Sequence, residues 1–127
     1  MVRTFLFLTI SALMMLTAFG CDPCRKLAKG KSVAERDSAA FCYFKRKHYQ
    51  SATDMYQQLK DVYRGLPQME RTMYYYAYSK YYTKDVLLAA FYFSEFVQQY
   101  PASKYSEEAT YMTGHCYYQM SNAYELD

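Results

Sequence analysis

The residues of this chain best suited to chemistry are four cysteines, two histidines and one acidic pair. Cys21 closes the stretch Ala18-Phe19-Gly20-Cys21, at the foot of a short apolar run. A cysteine directly after glycine in that setting offers its thiol as a lipid attachment point, with cleavage leaving Cys21 as the new N-terminus. Ala18 stands where such signals usually carry Leu, and Phe19 is bulkier than usual. An ordinary secretory signal cut after Gly20 fits the same residues, because Ala18-Phe19-Gly20 keeps the small-x-small rule.

The other cysteines are Cys24, Cys42 and Cys116. An even count in an exported chain suggests disulfides, but the spacing argues otherwise. With lipid on Cys21, Cys24 has no near partner. Cys42 and Cys116 fall on helices two repeats apart, well beyond the ~7 Å Cα separation that a bridge tolerates. Buried free thiols are the expectation for both. Cys21-x-x-Cys24 as a redox pair or half a zinc site lacks a strand-helix context and a second pair. His48 lies in the basic run Lys45-Arg46-Lys47-His48, which reads as a solvated turn. His115 shares a repeat column with Phe41 and Tyr78, so packing explains it. Glu107 and Glu108 point in different directions on a helix, and their charge suits a helix start. No phosphate loop, nucleophile motif or metal spacing occurs. The expectation is a chain that is not an enzyme, with no catalytic residue, metal or cofactor.

The elements that carry these residues begin with a leader. Arg3 is the only charge before Asp22, and the apolar run between them is shorter than the ~20 residues that span a bilayer as a helix. Residues 1–20 therefore read as a cleaved lipoprotein signal, 21–32 as a lipidated linker, and 33–127 as one domain. Of the 127 residues, 52% are apolar, which is enough for a core. The 17 tyrosines and absence of Trp suit a thin fold with many half-buried positions. A formal charge of +3 is too small and scattered to argue for nucleic acid as a partner.

That domain repeats. At an offset of 37 residues Ala52 meets Ala89, Tyr56 meets Phe93, Leu59 meets Phe96 and Tyr63 meets Tyr100. Two such steps carry Ala40 to Ala77 and Gly114, and Phe44 to Tyr81 and Tyr118. Each unit holds two helical patterns. Apolar residues at Tyr49, Ala52, Tyr56, Leu59, Val62 and Tyr63 step by three and four, as on an amphipathic helix. Gly65-Leu66-Pro67 ends it. Met73 to Tyr82 and Val86 to Tyr100 are the helices of the second unit, with Pro101 as the stop. The units are 33–67, 68–103 and an incomplete 104–127. One such pair is too short to bury its own apolar face, so stacking must do it.

This pattern resembles the tetratricopeptide repeat. Ala77, Ala89, Phe93, Phe96 and Pro101 stand at that family's small, aromatic and proline positions. Arg64 replaces the expected proline in the first unit, both units lack its Trp, and the spacing exceeds the usual ~34 residues. The fold class implied is an all-α helix-pair solenoid of about two and a half repeats. A closer resemblance is to the N-terminal part of the BamD-type lipoproteins of the outer-membrane β-barrel assembly machinery, in their Bacteroidetes-like form. The signal ending at Cys21, FKRKHYQSATDMYQQLKDVYRG and YYYAYSKYYTKDVLLAAFYFSEFVQQYPASKYSEEATYMTGHCYY carry it. The resemblance covers essentially the whole chain after the signal and implies the N-terminal piece of a longer protein.

The resemblance implies a scaffold on the periplasmic face of the outer membrane, anchored by lipid. Its partners would be a BamA-like barrel assembly subunit and unfolded outer-membrane proteins. A different periplasmic repeat lipoprotein, serving cell-wall synthesis, division or pilus assembly, is the alternative. First helices of stacked pairs line a concave side, which makes Tyr74, Tyr78, Tyr81, Tyr111 and Tyr118 the candidates for a peptide groove. Tyr offers contact area and a hydroxyl at low entropy cost.

Overall fold

The computed structural model describes residues 22–124, and their regular structure is entirely helical. The signal segment and Cys21 lie outside the described residues, as do the last three. Six helices follow in order: α1 Pro23–Ala28, α2 Val33–Lys45, α3 Tyr49–Val62, α4 Gln68–Tyr82, α5 Val86–Gln99 and α6 Ser106–Tyr124. Each packs against the next, and α2 also touches α4, so helix pairs stack in sequence order. Among the described residues no helix is long and apolar enough to cross a membrane.

Local chemistry sets the helix ends. Asp22 caps α1 by accepting from the Cys24 amide at 3.1 Å, with Pro23 in the first turn. Ser32 and Glu35 form a capping box at α2, each side chain accepting from the other's backbone amide. Gly65, at φ 78, turns the chain after α3. In the first two units the turn between helices repeats to the hydrogen bond. Lys47 and Lys84 are both left-handed, at φ 62 and 69. The Lys47 and His48 amides donate to Phe44 and Tyr43, as those of Lys84 and Asp85 do to Tyr81 and Lys80.

The core follows the repeat columns. Ala52 and Ala89 are fully buried, as are Tyr56, Phe93 and Phe96, and Leu59 nearly so. They form two apolar clusters joined through the half-buried Phe44, Met69, Tyr75 and Tyr92. Ala40 and Ala77 are closed over by their neighbours. Gly114, the third of that column, is exposed, and an added Cβ there would meet nothing within 4 Å.

The expectation for the cysteines needs correcting. Cys24 does have a partner, and Cys42 is not a free thiol: the two form a disulfide with Cα atoms 5.5 Å apart. The segment read as a linker contains α1, which runs back along α2 after the turn at Lys29–Lys31 and brings Cys24 opposite Cys42. Arg46 pairs with Asp22 at 2.8 Å beside that bridge. Cys116 is free and buried as expected, and burial pushes its thiol pKa up.

Candidate functional site

The first helices of the three units, α2, α4 and α6, meet along one side. Arg71 on α4 reaches Asp37 on α2 at 3.1 Å, and Phe41 meets Tyr75 edge-on at 5.3 Å. One repeat further, the Tyr74 hydroxyl donates to Glu108 on α6 at 2.7 Å, and the Tyr81 hydroxyl lies 3.1 Å from His115 Nε2. The residues in each of these four contacts are 34 apart, which shows that one register relates both helix-to-helix seams.

A groove of about 270 Å³ opens between these helices, lined by Phe44, Tyr74, Tyr75, Tyr78, Tyr82, Tyr105 and Glu108. Its walls are braced by ring contacts. Tyr74 stacks on Tyr105 at 4.3 Å, Tyr82 on Tyr49 at 4.3 Å, and Phe44 meets Tyr75 edge-on at 5.0 Å. Glu108 is the polar fixture. It accepts from the hydroxyls of both Tyr74 and Tyr78, yet remains exposed at the mouth. Burial, and next the bond to Glu108, raise the pKa of both tyrosines above its ordinary value, so they stay neutral donors. Chemically the groove offers flat apolar walls, a row of hydroxyls and one carboxylate with free lone pairs for an N–H donor.

Of the tyrosines singled out from the sequence, Tyr74 and Tyr78 line this groove. Tyr81 instead joins His115 and Gln119. Tyr111 stacks on His115 at 5.9 Å and is 67% exposed, and Tyr118 stands apart at 64% exposure. Cys21 lies outside the described residues. Tyr75 and Tyr82, on the Tyr-rich first helix Tyr74–Tyr82 that the sequence points to, line it as well, whereas Phe44, Tyr105 and Glu108 escape the sequence reading as groove residues. The one available signal is the register of 34 between neighbouring first helices, which differs from the repeat of 37 and sets Glu108 against Tyr74.

A second hollow of about 400 Å³, lined by Leu87, Phe91, Ser94, Glu95, Gln98 and Tyr117, lies on α5 and α6 and contains none of the candidate tyrosines. Although it is larger, its lining hydrogen bonds run only along α5, from Gln98 to Ser94 and from Gln99 to Glu95. Glu108, by contrast, ties α6 to the tyrosines of α4 across the aromatic groove, so the aromatic groove is the better site. Among the described residues no three His, Cys, Asp or Glu side chains gather as a metal would require.

The family model of YfiO, an outer membrane lipoprotein, matches residues 36–125. No curated protein matches the chain.

Proposed function

Because the chain belongs to the YfiO outer membrane lipoprotein family, we propose that it is a non-catalytic scaffold of the machinery that assembles β-barrel proteins in that membrane. Membership associates the chain with the outer membrane. Attachment through lipid on Cys21, with the repeats facing the periplasm, belongs to the proposal. So do the partners: a BamA-like barrel assembly subunit and unfolded outer-membrane proteins.

The observation that carries this reading is the aromatic groove with Glu108 at its mouth. An unfolded barrel strand is an extended chain with alternating apolar and aromatic side chains and unpaired backbone N–H groups. Tyr walls accept such side chains with little dependence on sequence, and a carboxylate accepts N–H donors. That generality suits a receiver of many barrel proteins better than a pocket for one small ligand.

Affinity purification of the tagged chain from the bacterial envelope, after cross-linking, tests the partners. A large β-barrel protein with periplasmic domains should be recovered, together with immature barrel proteins. Recovery of cell-wall enzymes in their place would overturn this reading in favour of a cell-wall or division role.

A further inference from the structure

The basic residues of this chain are not evenly spread. Asp22 to Lys47 contains eight Lys or Arg against three Asp or Glu, whereas residues 49–124 contain six against seven. The fold gathers much of that excess around the start of the described chain. The disulfide from Cys24 to Cys42 and the ion pair from Asp22 to Arg46 hold the N-terminal end of α1 against the C-terminal end of α2. There the turn Lys45-Arg46-Lys47-His48 is fully on the surface, and Arg25 and Lys26 are exposed on α1. Helix α1 has six residues, about 9 Å of rise, so its basic side chains stay close to the turn. Cys21 is joined directly to Asp22.

We propose that Arg25, Lys26, Lys45, Arg46 and Lys47 form a contact surface for the anionic phospholipid headgroups of the bilayer that holds the lipid on Cys21. This rests on the lipid-anchor reading above and adds to it a second point of attachment. A lipid anchor holds a chain to the membrane without fixing its orientation, and a basic patch beside it supplies a second point of contact. Basic side chains near an anionic surface each add to binding, within a Debye length. Here the patch cannot swing away from the anchor, because a covalent bridge and an ion pair fix α1 to α2. Lipid and patch therefore set together how the repeat array sits on the membrane.

The test is vesicle co-sedimentation of the whole mature chain, purified from bacterial membranes. Vesicles of phosphatidylcholine alone read the anchor. Vesicles of equal phosphatidylcholine and phosphatidylglycerol add the headgroup charge. One variant carries Lys26→Gln, Lys45→Gln and Lys47→Asn. Its control, matched in charge, carries Arg64→Gln, Lys84→Asn and Lys104→Gln, and places Asn at the same turn position one repeat on. Native chain and control should bind the anionic vesicles at least about tenfold more tightly than the neutral ones, a gain that high salt abolishes. The first variant should lose most of that gain, since each basic contact is worth about fivefold. Equal binding of native chain to both vesicle types, or equal loss in both variants, would overturn the proposal. Failure of the anchor reading looks different: native chain would not bind neutral vesicles, and mass spectrometry would find Cys21 unmodified.

Discussion

Tyr56 and Phe93 occupy the same place in successive helix pairs and are both fully buried, yet only Tyr56 carries a hydroxyl, and that hydroxyl has no hydrogen-bond partner. A buried polar group left unpaired costs about 1–3 kcal/mol. The second repeat shows that a plain ring fills the position. Tyr56→Phe should therefore stabilise the protein by about 1 kcal/mol, seen as a higher thermal midpoint. A lower midpoint would mean that the hydroxyl is satisfied in solution.

Ala77 and Gly114 share a repeat column but not an environment. Ala77 has no exposed surface, so Ala77→Leu should overpack the crossing of α4 and α5 at a cost of about 1–3 kcal/mol. Gly114 lies within α6 with open space where a Cβ would go. Gly114→Ala should stabilise by roughly 1 kcal/mol, the helix-propensity difference alone. Chemical denaturation of both variants checks the pair, and destabilisation by Gly114→Ala would contradict this packing.

The repeat itself was legible because small side chains and rings recur at a fixed interval, and a fixed interval is what translational stacking needs. The turns were legible for a related reason: Lys45 to His48 and Thr83 to Asp85 are polar breaks between apolar patterns. The disulfide was not. Its formation depends on α1, a helix of six residues whose apolar pattern is too brief to read and whose docking is a tertiary event. Part of the groove was hidden as well. Periodicity shows which residues share a face, but the offset of neighbouring helices decides that Glu108 meets Tyr74 and Tyr78. Charge at Glu107 and Glu108 reads from sequence as a helix start, which is true of both and complete for neither the groove nor its chemistry.

The Cys24–Cys42 bridge closes a loop with a sequence separation of 18, and a loop of that size is worth up to ~3 kcal/mol. Replacing both cysteines with Ala should lower stability and release α1. Hydrogen exchange would then show lost protection in Cys24–Gly30 with little change in α4 and α5. Unaltered protection of α1 would mean that packing alone holds it.

Tyr56, Tyr74, Tyr76 and Tyr78 are all buried, and burial raises the pKa of each above its ordinary value. The fold thus retains protons that the unfolded chain releases near pH ~10. Stability from these groups is whole below that pH and falls as pH rises beyond it, by ~1.4 kcal/mol per pH unit for each tyrosine. With several acting together, unfolding should occur within about two pH units above 10. Circular dichroism and tyrosinate absorbance followed together against pH will show this. Complete tyrosine ionisation with helicity intact would contradict it.

If the groove between the first helices takes extended segments of barrel proteins, fluorescence anisotropy with a labelled peptide from the C-terminal end of such a protein will report it. Tyr82 lines the groove and is 42% exposed, so Tyr82→Ala should leave the fold intact while weakening binding about tenfold. Tyr117→Ala, outside the groove and 55% exposed, should leave binding unchanged. Saturable binding by the native chain that Tyr82→Ala impairs and Tyr117→Ala does not is the predicted result. An absence of saturable binding, or equal binding by all three proteins, would mean that the groove is not the peptide site.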